Sequence, residues 1–201
     1  TSVQRFQKAV EDRLLALAAL ILFAPLMLLV AIAIKLTSPG PILFRQPREG
    51  FNCRVFEILK FRTMHTDRCG ATEVIQARRG DARVTRLGAW LRRTSADELP
   101  QLVNVLLGHM SLVGPRPHAP STRAGGRLFA DIAASYAARH KVKPGLTGWA
   151  QVCGWRGETD TEEKLTRRLE HDMYYVEHWS IWFDLYILAR TVTTVLLHRA
   201  Y

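Results

Sequence analysis

The sequence predicts a mainly α-helical domain with one small β-hairpin, embedded in a membrane through its N-terminal helix. Three observations carry this. Residues 14–34 form an uninterrupted apolar run, residues 42–45 and 55–61 have strand character around a turn-rich connection, and helical periodicity fills most of the remainder. A chain of 201 residues with 48% hydrophobic residues buries one ordinary core, so beyond the membrane segment a single functional unit is expected.

Between Arg13 and Lys35 there is no charged or polar side chain. At about 1.5 Å per residue the run matches the roughly 30 Å thickness of bilayer hydrocarbon. Pro25 divides it nearly in half, and an interior proline kinks or breaks a helix at a cost of about 3 kcal/mol. Two geometries follow: a kinked spanning helix, or a re-entrant helix that bends at Ala24-Pro25 and returns to the face it entered. Basic residues flank both ends, with Arg5, Lys8 and Arg13 before the run and Lys35, Arg45 and Arg48 after it. Cytoplasmic flanks carry the Lys and Arg excess, which favours the re-entrant form. Residues 1–41 are therefore expected to form an inserted helix and turn, and 42–201 a membrane-associated domain facing the cytoplasm.

Past the turn Thr37-Ser-Pro-Gly-Pro41, the runs 42–45 and 55–61 predict the hairpin, and polar residues 64–81 a surface loop. Val84, Leu87 and Leu91, with arginines between them, predict an amphipathic helix over 84–93. Another helix is expected at 128–140 and a turn at 143–148. The C-terminal quarter reads as helical and carries Tyr174, Tyr175, Trp179, Trp182, Phe183 and Tyr186, rings common at membrane–water boundaries. Asp184, Arg190 and His198 make 176–199 a poor spanning helix. An interfacial helix, a core helix and a homodimer surface fit it equally.

The formal net charge of +10 suits lipid headgroups, phosphates or nucleic acid. Nucleic-acid binding leaves the membrane segment and the acidic pair described below without a use, so no nucleic-acid partner is expected. Cys53, Cys69 and Cys153 are odd in number and lack metal or redox spacing, as expected of reduced thiols facing the cytoplasm. There is no P-loop, dinucleotide glycine fingerprint, zinc pattern or G-x-S-x-G elbow.

Asp97 and Glu98 stand side by side in this basic chain. Ser95-Ala-Asp-Glu98 fits a capping box, but Pro100 would then be the fifth helical residue, where it is not tolerated. A helix capped at Asp97 or Glu98 places Pro100 in its first turn and ends at Gly108. The carboxylates then lie at the positive helix end, which favours ionisation by a few tenths to about 1 kcal/mol. Countercharge comes from Lys60 and Arg62 at a strand end, Arg92 and Arg93 just before the pair, and Arg116 held between Pro115 and Pro117. A carboxylate nucleophile approaching a phosphodiester meets repulsion that arginine, lysine and a divalent cation must neutralise. The chain supplies both halves of that arrangement.

The motifs Ile34-Lys-Leu-Thr-Ser-Pro-Gly-Pro41, Phe44-Arg-Gln46, Lys60-Phe-Arg-Thr-Met64, Arg83-Val-Thr-Arg-Leu-Gly88, Leu91 through Gly108, and Met110-Ser-Leu-Val-Gly-Pro-Arg-Pro117 resemble the bacterial sugar transferase family, the monotopic phosphoglycosyl transferases, over essentially the whole chain. Lys143-Pro-Gly-Leu-Thr-Gly-Trp-Ala-Gln151 and Gly154-Trp-Arg-Gly-Glu-Thr-Asp160 resemble the branch that moves glucose or galactose 1-phosphate onto undecaprenyl phosphate. Branch members often carry a further N-terminal membrane region, so this chain is expected to be a catalytic core.

The resemblance implies a two-step exchange at the cytoplasmic face of the bacterial inner membrane, initiating exopolysaccharide, capsule or O-antigen assembly. UDP-hexose (UDP-glucose or UDP-galactose), undecaprenyl phosphate and membrane lipids are the implied partners, and Mg²⁺ the implied cofactor. Asp97 matches the aspartate that attacks the β-phosphate of the UDP-sugar, expels UMP and holds a covalent phospho-sugar until polyprenyl phosphate takes it. Glu98 would bind the metal with Asp97 or orient the nucleophile, Lys60 would pair with the dyad, Arg92 would contact phosphate near the lipid acceptor, and Pro115-Arg-Pro117 would shape the nucleotide pocket around Arg116. A re-entrant helix broken at a Ser-Pro pair is also implied; here the pair is Ala24-Pro25. The alternative from another class is a non-catalytic basic membrane-anchored scaffold binding lipid phosphate or partner proteins, against which the intact Asp97-Glu98 pair speaks.

Overall fold

The computed structural model describes residues 2–65, 81–119, 123–124, 127–128, 136–155, 157 and 161–197. Helix α1, Ser2–Thr37, carries Pro25 inside it. The expected bend position, Ala24-Pro25, thus lies inside one continuous helix. A proline removes one bond from the ladder, and long helical stretches on either side maintain it here.

Both ends of α1 pack on the rest of the chain. Near its start, Asp12 accepts from Ser111 Oγ (3.0 Å) and Leu112 N (3.0 Å), and Ala16 enters the main core with Leu102, Val105, Met110, Val113 and Ile187. Near its end, Val30 and Ile34 join a second cluster with Phe61, Leu91 and Ala96. Between them, residues 21–26 are all exposed, with Ile21 at 69% and Leu22 at 72%.

Strands β1 (Leu43–Glu49) and β2 (Val55–Phe61) pair antiparallel from Leu43↔Phe61 to Glu49↔Val55, confirming the hairpin. β1 outruns the expected 42–45 because Pro47 costs a two-stranded ladder little: an outward-facing N–H has no strand partner to lose. The turn holds Asn52 (φ 52°) and Cys53 (φ 58°) in left-handed backbone, which disfavours a cysteine.

Helix α2, Arg86–Thr94, matches the amphipathic prediction and is capped by Thr85, whose Oγ1 accepts from Gly88 N at 2.8 Å. Ser95, in left-handed backbone at φ 59°, ends it. A 3₁₀ turn, Ala96–Glu98, follows, and helix α3 is Gln101–Leu106 with Pro100 at its N-cap. The dyad is thus not the cap of α3, as the sequence suggested. Glu98 N bonds Ser95 O and Leu99 N bonds Ala96 O, and this tight i→i+3 turn uses the dyad's backbone before α3 begins. Gly108, at φ 81°, closes the segment as expected.

Strand β3 (Ser111–Val113) runs parallel to β6 (Gly145–Thr147), a long-range pairing the sequence reading lacked. β4 (Arg123–Ala124) and β5 (Arg127–Leu128) form a short antiparallel pair. The expected helix at 128–140 is corrected: Leu128 is in β5 and Tyr136–Lys141 form a 3₁₀ helix, while 129–135 lie outside the described residues. Most of the expected 64–81 loop also lies outside them.

Helices α4 (Trp149–Val152), α5 (Glu162–His178) and α6 (Ile181–Leu197) complete the chain. The expected helix at 176–199 is cut at Trp179-Ser180, where Ser180 Oγ accepts from Phe183 N (3.1 Å) and starts α6 anew. The C-terminal aromatics divide between core and surface. Tyr175 is buried in the main core, whereas Trp182 is 80% exposed.

Candidate active site

Three elements bring the predicted cations to the dyad. On β2, Phe61 points into the second core cluster and its neighbour Lys60 points the other way, as strand alternation requires. Asn104 of α3 locks that strand: its Nδ2 donates to Glu57 O (2.7 Å) and its Oδ1 accepts from Leu59 N (2.9 Å), an amide imitating a strand partner. Lys60 Nζ then donates to Glu98 Oε1 at 2.8 Å.

Arg116 arrives through the β3–β6 pair. Gly114 N bonds Thr147 O and Gly145 N bonds Pro115 O, each at 2.9 Å. A Cβ on Gly145 would lie 2.1 Å from Gly114 N, so the approach requires glycine. Arg139 donates to Arg116 O and pairs with Asp172 Oδ2 at 3.0 Å, fixing the backbone between Pro115 and Pro117. Arg116 Nη2 donates to Glu98 Oε1 at 2.7 Å, and Nη1 lies 3.4 Å from Oε2. Pro115 and Pro117 line a small cavity beside Arg116 with Glu49, Arg139 and His140.

Arg92 is the third contributor. A Cβ on Gly88 would meet Thr63 O at 2.1 Å, so α2 packs directly on the chain leaving β2, and Arg92 Nε donates to Thr63 Oγ1 at 2.8 Å. Two predicted cations are not brought in. Arg62 is buried and donates to Pro39 O (2.7 Å), Ser38 O (2.7 Å) and Ser38 Oγ (2.8 Å), clamping the turn after α1. Arg93 is exposed on α2. Arg93 sits next to Arg92, and adjacent side chains on a helix point in different directions; Arg62 lies beyond the end of β2 at Phe61, where strand alternation no longer holds it on the face of Lys60.

The two carboxylates differ sharply although both are buried, at 9% and 8% exposure. Burial pushes Glu98 up, but Arg116 and Lys60, by charge and hydrogen bond, outweigh it and hold the carboxyl well below its usual range. Asp97 is pushed up to about 6 by burial and by the Glu98 charge, against the pull of Lys60, Arg92 and Arg116. Among the described residues none donates a hydrogen bond to Asp97. The arrangement is one neutralised carboxylate beside one ionisable carboxylate that no described side chain bonds, in a basic surround.

Asp97 is the carboxylate of the pair left open to a hard divalent cation, while Glu98 shares its oxygens with Lys60 and Arg116. Magnesium takes one or two carboxylates plus substrate phosphates rather than a full protein cage, and among the described residues no group of three or more potential metal ligands exists. Asp97, with Glu98 beside it, is where such a cation would be held.

Sequence reasoning missed Asn104, Arg139 and Asp172, all buried. Asn104 gave a signal, as a lone amide among Leu102, Val103 and Val105. The Arg139–Asp172 pair gave none.

The chain belongs to the bacterial sugar transferase family, which it matches over residues 3–198. Among known proteins, it is 52% identical over 193 residues to the undecaprenyl-phosphate glucose phosphotransferase of Komagataeibacter xylinus, covering 96% of this chain and 36% of that protein. It is 48% identical over 200 residues to the UDP-glucose:undecaprenyl-phosphate glucose-1-phosphate transferase of Escherichia coli K12, covering 100% of this chain and 42% of that protein. An exopolysaccharide production protein of Rhizobium leguminosarum bv. phaseoli is 50% identical over 189 residues, with 94% of each chain covered. The chain thus spans well under half the length of the first two.

Proposed function

We propose that this chain transfers hexose 1-phosphate from a UDP-hexose to undecaprenyl phosphate, releasing UMP, as an early step of exopolysaccharide, capsule or O-antigen assembly. The observation that carries the reading is the division of labour in the dyad: Lys60 and Arg116 saturate Glu98, while Asp97 is left buried and without a hydrogen bond. An ionised carboxylate in that state is an available nucleophile. The names of the Komagataeibacter and Escherichia relatives support glucose as the hexose.

An Asp97 oxygen attacks the β-phosphorus of the UDP-sugar, and the bond from that phosphorus to the bridging oxygen breaks, so UMP leaves with the electron pair. A phosphate oxygen of undecaprenyl phosphate then attacks the same phosphorus, and Asp97 departs as carboxylate. Lys60, Arg92 and Arg116 offset the negative charge gathered at the reacting phosphate. Glu98 keeps Lys60 and Arg116 in place. Mg²⁺ held by Asp97 and Glu98 would add Lewis-acid neutralisation of the phosphate oxygens.

Residues 1–41 act as a membrane-inserted segment and 42–201 as the catalytic domain. Two facts support this: α1 is tied to the same body near both ends, through Asp12 and through Ile34, and its exposed apolar residues 21–26 lie between the ties. Kinked at Pro25 within its continuous length, a helix held in this way would dip into one leaflet and leave both ends on the cytoplasmic face of the inner membrane. Cysteine substitutions near Ser2 and Ser38 should both react with an impermeant reagent from the cytoplasmic side; protection of one end would mean a span.

The deciding assay is UMP release from a panel of UDP-sugars with Mg²⁺ and undecaprenyl phosphate. Release with UDP-glucose is expected, and no release with any sugar would overturn the proposal.

A further inference from the structure

Arg48 has no role in the chemistry above, yet it stands beside it. It lies on β1, and the next residue ties the strand end to the Arg116 loop, Glu49 N donating to His118 O at 3.1 Å. Its one hydrogen bond runs from Nη2 to Gln46 Oε1. Its Nε is buried without a partner, and no carboxylate among the described residues pairs with it.

Arg116 and Glu98 are its charged neighbours: burial and then Arg116 pull its pKa down to about 10, and Glu98 pulls the other way. A guanidinium withdrawn from water, next to a second guanidinium and without its own carboxylate, is costly unless an anion completes it. Charge supports the same conclusion. Lys60, Arg92 and Arg116 surround Asp97 and Arg48 adds a cation beside Arg116 and Glu98, four positive charges against the two carboxylates of the pair. Glu98 already occupies Arg116 and Lys60, so the excess is concentrated at Arg48 and Arg92.

We infer that Arg48 is a phosphate-binding residue of this site, its guanidinium taking a substrate phosphate oxygen alongside Arg116. This rests on the phosphotransfer reading. The phosphate belongs either to the donor diphosphate or to the lipid acceptor, which present the same oxygen chemistry to a guanidinium.

The test uses the full chain in detergent or nanodiscs, with Arg48→Gln and Arg48→Lys. The KM for UDP-glucose and the KM for undecaprenyl phosphate are measured separately. Arg48→Gln is expected to raise one of them on the order of ten-fold while the other moves less than about two-fold. Which KM rises assigns the phosphate to donor or acceptor. Arg48→Lys should recover part of the loss, and the melting temperature of Arg48→Gln should hold or rise.

Both KM values unchanged, or a fall in kcat with a lower melting temperature and no KM change, would overturn the inference. Calorimetric binding of UDP, and binding to vesicles containing undecaprenyl phosphate, require no turnover. If the unaltered chain releases no UMP, the phosphotransfer reading fails, and these two measurements still decide whether Arg48 binds phosphate. An Arg48→Gln variant that weakens neither would reject it.

Discussion

Two carboxylate clusters in this molecule use the same residue types to opposite ends. At the base of α1, Asp184 accepts from Tyr175 Oη (2.8 Å), Trp179 Nε1 (2.9 Å) and Lys8 Nζ (2.7 Å), and Asp12 accepts from Lys8, Ser111 and Leu112. Both aspartates are buried and well bonded, Asp184 through both oxygens and Asp12 through three donors on Oδ1. At the dyad Glu98 is saturated in the same manner, but Asp97 is not bonded at all. A buried carboxylate supplied with every donor it needs is a joint. One left short of donors retains the reactivity to attack a substrate. Glu11, beside the first cluster, is its exception: both oxygens are buried without a hydrogen bond, and burial pushes the carboxyl up to about 7.

The comparison breaks first at Asp97. Asp97→Asn should lower UMP release by about 10³-fold or more while leaving the melting temperature at pH 8 unchanged or raised, because it removes a partly desolvated negative charge beside Glu98. A variant that keeps its activity would make Asp97 no more special than Asp12. Asp184→Ala should do the reverse. It strands Lys8, Tyr175 and Trp179 donors in the interior and should cost about 3–5 kcal/mol in denaturant unfolding, with the KM for UDP-glucose little altered in whatever folds.

A pH profile sharpens the contrast. Asp97 loses its proton near 6, so kcat/KM should fall through an acid limb near pH 6 rather than near 4. Lys60→Met removes a cation that pulls Asp97 down and should move the limb to higher pH; a limb that stays put would disconnect Lys60 from the nucleophile. Glu11 gives a smaller effect with a definite sign. Its folded pKa is raised, so the stability it allows is present below its unfolded value near 4.5 and is lost as pH rises through 7. Glu11→Gln should therefore raise the melting temperature at pH 8 and change it little at pH 4. Arg93→Ala should be the mildest, within about two-fold in kcat/KM, since the exposed Arg93 reaches neither cluster.

Much of this was legible because it is local. The apolar run, the hairpin, the α2 periodicity and the stop at Gly108 follow from spacing and from glycine or proline within a few residues. The dyad's place at a helix cap did not. Ser95 entering left-handed backbone is a choice of one residue, and it inserted a 3₁₀ turn where a single helix start was expected. Arg62 and Arg93 looked equivalent to Lys60 and Arg92 because a sequence shows neighbours but not the direction each side chain takes.

By itself the sequence determined the family, the apolar character of α1, and the carboxylate pair with its basic surround, since composition and short motifs encode these directly. Only the tertiary structure decided which carboxylate is neutralised and which is free. That distinction depends on Lys60 and Arg116 arriving from positions 38 residues before and 18 residues after Glu98. Their arrival depends in turn on Asn104 bracing β2 and on two glycines letting β3 and β6 meet. Distances of this kind between remote segments are set by packing, and no local pattern records them.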